Sequence, residues 1–308
     1  MANPVKTTFL DELKRRFGSI RKREGSESLY EVGRNGVRIY IRYSRVHNNR
    51  RGFYGLRQRD LQELEGHPSV VCSLWDEQAQ PLLIPFAEYE ELLHSLSPAS
   101  DGQFKVMVYP QVEGTQLYVN KVGRFSVEGH FGWDKLGTMV YPTDSTAIPD
   151  LSHSQIQTLI GAIGCAKGFD IWVPQNNRAT LDWTIAKRFD CCARIPTDFD
   201  EVSDVAQEID VMWVERGSNQ PRSLFEVEHS TPIYSGLLRF NDIHLTGRNS
   251  KLRFSIVAND ARRSVFARQL NRPTFRTSGL VDLCTFFEYG DVFAWHNRIK
   301  AETTRTTG

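Results

Sequence analysis

Residues 209–231 read IDVMWVERGSNQPRSLFEVEHST, and this stretch decides the fold. Two apolar runs flank the polar segment ERGSNQPR, which predicts a β-hairpin. Asp210, Glu226 and Glu228 nevertheless lie inside the apolar runs. Because a buried charge is costly unless another group pairs with it, these acids need a partner, and a metal ion is one candidate.

The spacing of the acids predicts where they meet. Side chains alternate along a strand, so Glu226 and Glu228 point the same way and Val227 points the opposite way. The hairpin would bring Asp210 beside them, which predicts three carboxylates at one end of the hairpin. Mg²⁺ suits such a site because it uses a few carboxylates together with water and phosphate oxygens. The alternative is a plain amphipathic strand with both glutamates in solvent.

The second half of the chain alternates helices and strands. HSQIQTLIGAIGCAKGF (153–169) predicts a helix, and residues 179–189 predict another. After the hairpin, IYSGLLRFNDIHL and ARRSVFARQLNR predict helices around the strand LRFSIVAND, and VDLCTFFEY predicts a last strand. We expect an α/β domain with a mixed sheet covered by helices, and a disordered tail, AETTRTTG.

The order of these elements resembles the PD-(D/E)xK nuclease superfamily, the restriction-endonuclease-like fold. The resemblance covers roughly residues 153–290. It rests on the leading helix, Asp210 on the first hairpin strand, the acid-x-acid of Glu226 and Glu228 on the second, and the helix and strand behind them. Ile209 stands where the motif has proline.

The resemblance implies a Mg²⁺-dependent DNA endonuclease in which Asp210 and Glu226 hold the metal and Glu228 completes the catalytic set. Glu228 stands where the superfamily usually has lysine, although some members have glutamate. It would act as a second-metal ligand or as the group that orients or deprotonates water. The leading helix offers Gln155 and Gln157 rather than the glutamate of many members.

Other polar residues near the acids have open roles. His229 either touches a phosphate or is an ordinary strand-end histidine. Arg239 and Arg248 are candidates for backbone contacts. WVPQNNR (172–178) ends a strand in amides, which can read adenine edges but also make turns.

The first half of the chain carries an uneven charge. Residues 1–60 hold 15 Lys and Arg against 6 Asp and Glu, whereas residues 61–148 hold 4 against 12. A basic block of this kind is a plausible footprint for a polyanion. We expect a DNA-recognition domain over residues 1–148, a β-rich α+β fold that a B3-like pseudobarrel would satisfy, and a nuclease domain over residues 149–308.

The basic segment RYSRVHNNRRGFYGLRQR (42–59) is the predicted contact with double-stranded DNA. Arginine forks bind phosphate and guanine, and nearby aromatic rings can stack on an exposed base. A solvated loop is the alternative. The predicted DNA-binding residues are Arg42, Arg45, Arg50, Arg51, Tyr54, Arg57 and Arg59.

Composition excludes several classes of protein. No apolar run approaches the roughly 20 residues that span a bilayer, and the N-terminus lacks the apolar block of a secretory signal, so we expect a cytoplasmic protein with no membrane partner. The five cysteines show no C-x-x-C spacing, which indicates free thiols. H-E-x-x-H, P-loop, G-x-G-x-x-G and G-x-S-x-G motifs are absent.

The sequence therefore predicts a restriction endonuclease of type II character. A homodimer is expected, because a double-strand cut needs two active sites. The alternatives are a DNA-binding protein that keeps a nuclease fold without catalysis, a nuclease for RNA or DNA repair, and a scaffold with no nucleic-acid role.

Overall fold

The chain forms two compact units in a computed structural model, which describes residues 3–46, 51–94, 96–141, 150–229, 232–247 and 251–306. The first unit comprises Met1–Gln111, Leu117–Asn120 and His130–Ala147. The second comprises Val112–Gln116, Lys121–Gly129 and Ile148–Gly308. The predicted division of the chain between residues 148 and 149 stays a prediction. Two short segments of the first half belong to the second unit, which the sequence did not indicate.

Within the described part of the chain, the first unit contains four α-helices and most of the early strands. Its helices are α1 (Pro4–Phe17), α2 (Gln58–Gln62), α3 (Glu90–His94) and α4 (Asp134–Val140). Its strands are β1 (Ile20–Lys22), β2 (Leu29–Val32), β3 (Val37–Tyr43), β4 (Gly52–Arg57), β5 (Ser69–Leu74), β6 (Leu82–Pro85), β7 (Gln103–Tyr109) and β8 (Gln116–Val119).

A mixed sheet in the order β1-β2-β3-β5-β6 forms the centre of this unit, with only β3 and β5 parallel. Phe9 and Leu13 of helix α1 pack against the sheet, and Trp133 stacks on Phe9 with ring centroids 5.2 Å apart. Strands β8, β7 and β4 are neighbours in that order. The unit is thus rich in strands, and the B3-like pseudobarrel stays a prediction.

The second unit contains the remaining elements. Its strands are β9 (Gly123–Ser126), β10 (Phe169–Trp172), β11 (Val211–Glu215), β12 (Gln220–Glu228), β13 (Arg253–Ala258) and β14 (Cys284–Glu288). Its helices are α5 (His153–Ala166), α6 (Ser203–Ala206), α7 (Ile233–Thr246), α8 (Arg263–Leu270), α9 (Pro273–Ser278) and α10 (Tyr289–Thr306).

The sheet of the second unit has the order β10-β11-β12-β13-β14-β9. The first three strands are antiparallel, and β12, β13, β14 and β9 are parallel. Helix α7 connects β12 to β13, and α8 and α9 connect β13 to β14, as parallel pairing requires. The predicted hairpin, helix α7 and strand β13 are therefore confirmed.

Helices cover both faces of this sheet. On one face, helix α5 packs on Trp213, whose indole nitrogen donates to the Ile160 carbonyl oxygen at 3.1 Å. On the other face, Phe240 of α7 packs on Phe254 of β13 with ring centroids 5.0 Å apart. Strand β12 is consequently buried from Ser223 to its end, and any acid on it leaves water.

Two predictions about local structure are wrong. Residues 179–189 do not form an α-helix; the structure has a 3-10 turn at Gln175–Thr180, followed by a turn at residues 183–185 and irregular backbone. Asp182 explains the difference, because its carboxylate accepts hydrogen bonds from the Thr184 amide and hydroxyl, which competes with helix formation. The tail predicted to be disordered continues helix α10 to Thr306.

Candidate functional site

The hairpin brings the three predicted acids to one cleft of about 1050 Å³. Val211 pairs with Phe225, and the Val227 amide donates to Asp210 Oδ2 at 2.8 Å. Asp210 directly precedes β11 rather than lying on it. Glu226 and Glu228 are each 1% exposed, so the alternative of a strand with solvated glutamates is wrong.

Helix α5 fixes Asp210 from the side opposite the hairpin. Gln157 donates from its side-chain amide to Asp210 Oδ1 at 3.1 Å, and His153 Nε2 lies 3.3 Å from the same oxygen. The hydrogen bond to Asp210 raises the pKa of His153 against the opposing effect of burial. Gln155 instead caps the helix with Ser152. Of the two glutamines predicted near the site, only Gln157 reaches the acids.

Glu226 is paired with an arginine from the next helix. Arg239 Nε lies 2.6 Å from Glu226 Oε1, and Nη2 lies 3.0 Å from Oε2. Burial raises the pKa of Glu226 to about 8; Arg239 opposes this rise, and the charges of Asp210 and Glu228 add to it. Desolvation and the neighbouring carboxylate charges therefore both raise the pKa of Glu226. Strongly shifted pKa values of this kind are common at functional sites.

Helix α7 approaches the acids so closely that it needs glycine there. A Cβ at Gly236 would lie 2.6 Å from Glu228 Oε1 and 3.4 Å from the Cβ of Glu226. The backbone oxygen of Glu228 accepts a hydrogen bond from Arg262 at 2.8 Å. Helix α7 therefore restricts the side chain of Glu228, and Arg262 holds its backbone.

Polar side chains from other segments line the same cleft. They are Gln175, Asn176, Asn177 and Arg194, and His229 lies at the end of β12. His229 Nδ1 is 3.3 Å from the Tyr289 hydroxyl, and the two rings stack. The amides of WVPQNNR thus face the same space as the acids.

The carboxylates are not preassembled as a three-group metal site. Within the described ranges, no cluster of three or more His, Cys, Asp or Glu side chains is placed to hold a metal ion. Asp210 and Glu226 still offer the hard oxygen donors that Mg²⁺ prefers, and one or two carboxylates suffice where phosphate and water complete the shell. The donor set fits Mg²⁺ on condition that Arg239 releases Glu226.

The first unit exposes most of the predicted DNA-binding arginines that can be described. Arg45, Arg51, Arg57 and Arg59 are exposed, whereas Arg42 is half-buried with its guanidinium 5.8 Å from the centre of the Tyr40 ring. Arg50 and Arg248 lie outside the described residues.

Among the members of this set that the structure describes, Tyr54 alone has a placement that contradicts its predicted role. Its side chain is 1% exposed, and its hydroxyl donates to the Leu74 carbonyl oxygen at 3.0 Å. Burial raises its pKa. Because side chains alternate along β4, Phe53 points outward instead and is 48% exposed. A base can stack on Phe53 and not on Tyr54.

Sequence reasoning missed His153 and the Arg239–Glu226 pair. A signal for His153 was available, because it stands four residues before Gln157 and so shares a helix face with it. Arg239 was noted only as a candidate for backbone contacts. Its pairing with Glu226 depends on how helix α7 packs across strand β12, and a short-range sequence pattern does not predict that packing.

A mixed α/β unit with buried acids at a hairpin end is compatible with a nuclease-like domain. Residues 143–305, just over half of the chain, match the sequence model of the family described as "Type II restriction enzyme NmeDI C-terminal domain". The chain belongs to that family.

A curated relative supports this assignment. The chain is 32% identical over 134 residues to the Type II restriction enzyme NmeDI of Neisseria meningitidis serogroup C. The match covers 40% of this chain and 37% of the relative, so it spans little more than a third of that protein's length. No solved structure matches the chain.

Proposed function

We propose that the chain is a DNA endonuclease of the restriction type, which hydrolyses phosphodiester bonds with the acids Asp210, Glu226 and Glu228. The observation that carries the proposal is that the three acids line one open cleft, with Glu226 and Glu228 buried and Asp210 partly buried, within the segment that matches the restriction-enzyme family. The relative's printed name supports the same reaction. In this proposal the unit is a PD-(D/E)xK nuclease of the E-x-E variety.

The energetic cost of the acids favours a catalytic role over a structural one. Glu226 is 1% exposed, and burial raises its pKa to about 8 although Arg239 lowers it. A well-packed apolar pair would stabilise the strand at least as well as a buried ion pair. Two buried acids beside a partly buried third are therefore better explained by the reaction than by the fold.

Asp210 and Glu226 are the proposed ligands of Mg²⁺. When bound, the ion would polarise the scissile phosphate and stabilise the negative charge that develops on the leaving oxygen. Asp210 is ready for this role, since Gln157 and the Val227 amide hold its carboxylate in one orientation. Glu226 must first exchange Arg239 for the ion.

Glu228 and Arg239 would divide the work that lysine does in most members of the superfamily. Glu228 would orient the attacking water or take its proton at a carboxylate oxygen. Arg239 supplies the cation, and on release from Glu226 its guanidinium fork suits a phosphate oxygen pair. The lysine position is thus acidic while the positive charge comes from helix α7.

The first unit would bind double-stranded DNA. Arg45, Arg51, Arg57 and Arg59 present exposed positive charge, and Phe53 offers an exposed ring on the same segment. Cutting both strands needs two active sites, so we propose a homodimer as the cutting form. Among the described residues, no helix is long and apolar enough to cross a membrane.

Cleavage of modified and unmodified genomic DNA by the purified chain tests this function. With Mg²⁺ we expect discrete fragments whose mapped ends share a sequence, and no product in EDTA. Parallel incubations with single-stranded DNA, branched DNA and RNA separate a restriction activity from a repair or RNA nuclease. Equal or faster cleavage of those substrates would contradict the restriction assignment.

One observation favours a second candidate, a DNA-binding protein that does not cleave. Both oxygens of Glu226 are held by Arg239, and Glu228 stands at the lysine position. Such a protein would bind duplex DNA in a salt-dependent manner. It would form no product with Mg²⁺ or Mn²⁺, which distinguishes it from the first candidate.

A further inference from the structure

Four polar side chains that line the cleft together with the acids have no part in the proposed chemistry. We call this set the amide wall: Gln175, Asn176, Asn177 and Arg194. It lies on two segments, the 3-10 turn after β10 and the loop that contains Arg194. Any duplex whose phosphate reaches Asp210 within this cleft would have the amide wall beside it.

Hydrogen bonds from Arg178 join the two segments of the amide wall. Its Nε donates to the Val173 carbonyl oxygen at 2.9 Å, and its Nη2 donates to the Cys192 carbonyl oxygen at 2.7 Å. The Cys192 amide also donates to the Ile171 carbonyl oxygen at 2.7 Å. The backbone that presents the amides is consequently held in place before any ligand arrives, which favours specific recognition.

The amide side chains do not build the turn on which they lie. The turn is closed by the backbone, where the Asn177 amide donates to the Pro174 carbonyl oxygen at 2.9 Å, and by the Thr180 hydroxyl. Within the part of the chain that the structure describes, the Gln175 and Asn176 side chains make no hydrogen bond, and both residues are exposed. The Gln175 and Asn176 side chains are therefore not needed to form the turn and are available for a ligand.

Asn and Gln amides can contact phosphate, but they carry no charge that would neutralise it, and their donor and acceptor match a base edge. An Asn or Gln amide accepts a hydrogen bond from adenine N6 and donates one to adenine N7 at the same time. We propose that Gln175 and Asn176 of the amide wall read adenine at A·T pairs of a DNA duplex, and that Arg194 binds an adjoining phosphate. This inference rests on the proposed function for its choice of DNA as the ligand.

Selection from a random duplex library tests the amide wall. The full chain carries Asp210→Asn so that bound DNA survives, and enriched sequences are compared with and without Gln175→Ala plus Asn176→Ala. We expect the double variant to lose preference for A·T at one or two adjacent positions, on the order of tenfold or more. The control is Asn297→Ala, an exposed amide outside the cleft, which should retain the parent preference.

Arg194→Ala separates the phosphate contact from base reading. We expect it to keep the preferred sequence while the slope of log affinity against log salt falls by about 1. Circular dichroism establishes that each variant is folded. Unchanged preference in the double variant, or a parent chain that enriches no sequence, would overturn the inference. Failure of the proposed function would appear in a different experiment, as the absence of cleavage by the unsubstituted chain. A protein that binds DNA without cleaving it would still enrich sequences in this selection.

Discussion

At the scale of single residues, the acids could be predicted and their partners could not. Asp210, Glu226 and Glu228 stand out because a charge in an apolar run is expensive, and that expense is visible in the sequence. Arg239 pairs with Glu226 across a helix–strand contact, which depends on tertiary packing. The predicted role of Tyr54 was wrong because side chains alternate along β4, so that the ring of Phe53 is exposed and the ring of Tyr54 is buried.

The raised pKa of Glu226 predicts a dependence of stability on pH. Unfolded glutamate titrates near 4.5 and the folded group at about 8, so between these values the unfolded chain loses a proton that the folded chain keeps. Glu226 therefore costs stability as pH rises through this window. Replacing Glu226 with Gln should remove that cost, by at most about 1.4 kcal/mol per pH unit.

Urea unfolding from pH 5 to 9 measures this effect. The free energy of unfolding of Glu226→Gln minus that of the unsubstituted chain should rise with pH and level off above about 8. Parallel pH profiles for the two proteins would show that Glu226 is ionised in the folded state throughout.

At the scale of elements, hydrophobic pattern predicted the strands and helices that build the site. The helix α7 and the strand β13 occur where the pattern places them. The failure at residues 179–189 came from a side-chain turn at Asp182, and such competition by a polar side chain acts outside the apolar pattern. Helix α10 buries Val292 and Trp295 at helical spacing, so its first turns could have been predicted from the sequence, whereas its polar end could not.

Helix α7 can be tested through its closest contact with the acids. Gly236→Ala would place a Cβ 2.6 Å from Glu228 Oε1 and 3.0 Å from Ile256 Cδ1. We expect a loss of about 1–3 kcal/mol in the free energy of unfolding, together with reduced cleavage, because the helix must move away from β12.

Gly137→Ala is the matched control for this variant. Its Cβ would meet nothing within 4 Å in helix α4, so alanine should stabilise the chain by about 0.5–1 kcal/mol and leave cleavage unchanged. Chemical unfolding compares the two substitutions. Equal effects of the two on stability would contradict the close packing of α7 on the acids.

At the scale of the whole molecule, charge asymmetry and element order predicted two units of different character. They did not predict that Val112–Gln116 and Lys121–Gly129 belong to the second unit. Strand β9 pairs in parallel with β14, which follows it by more than 150 residues, and pairing at such a distance leaves no local signal. The role of the first unit in DNA binding therefore needs its own test.

Charge reversal in the first unit provides that test. Arg51→Glu with Arg57→Glu should weaken duplex binding and lower the slope of log affinity against log salt by about 2, one for each lost phosphate contact. Arg276→Glu, an exposed arginine of helix α9, is the control and should leave the slope unchanged. Binding titrations over a range of salt concentrations measure it, and equal slopes for all three proteins would exclude the predicted segment.

The central claim is that the carboxylate cleft hydrolyses DNA, and one comparison tests it most directly. Cleavage and duplex affinity are measured together for the unsubstituted chain and for Asp210→Asn, which keeps the shape of the side chain and an acceptor for the Val227 amide. We predict that the variant binds duplex DNA within a few-fold of the parent and forms no Mg²⁺-dependent product. Cleavage by Asp210→Asn at the rate of the unsubstituted chain would contradict the assignment of this cleft as the active site.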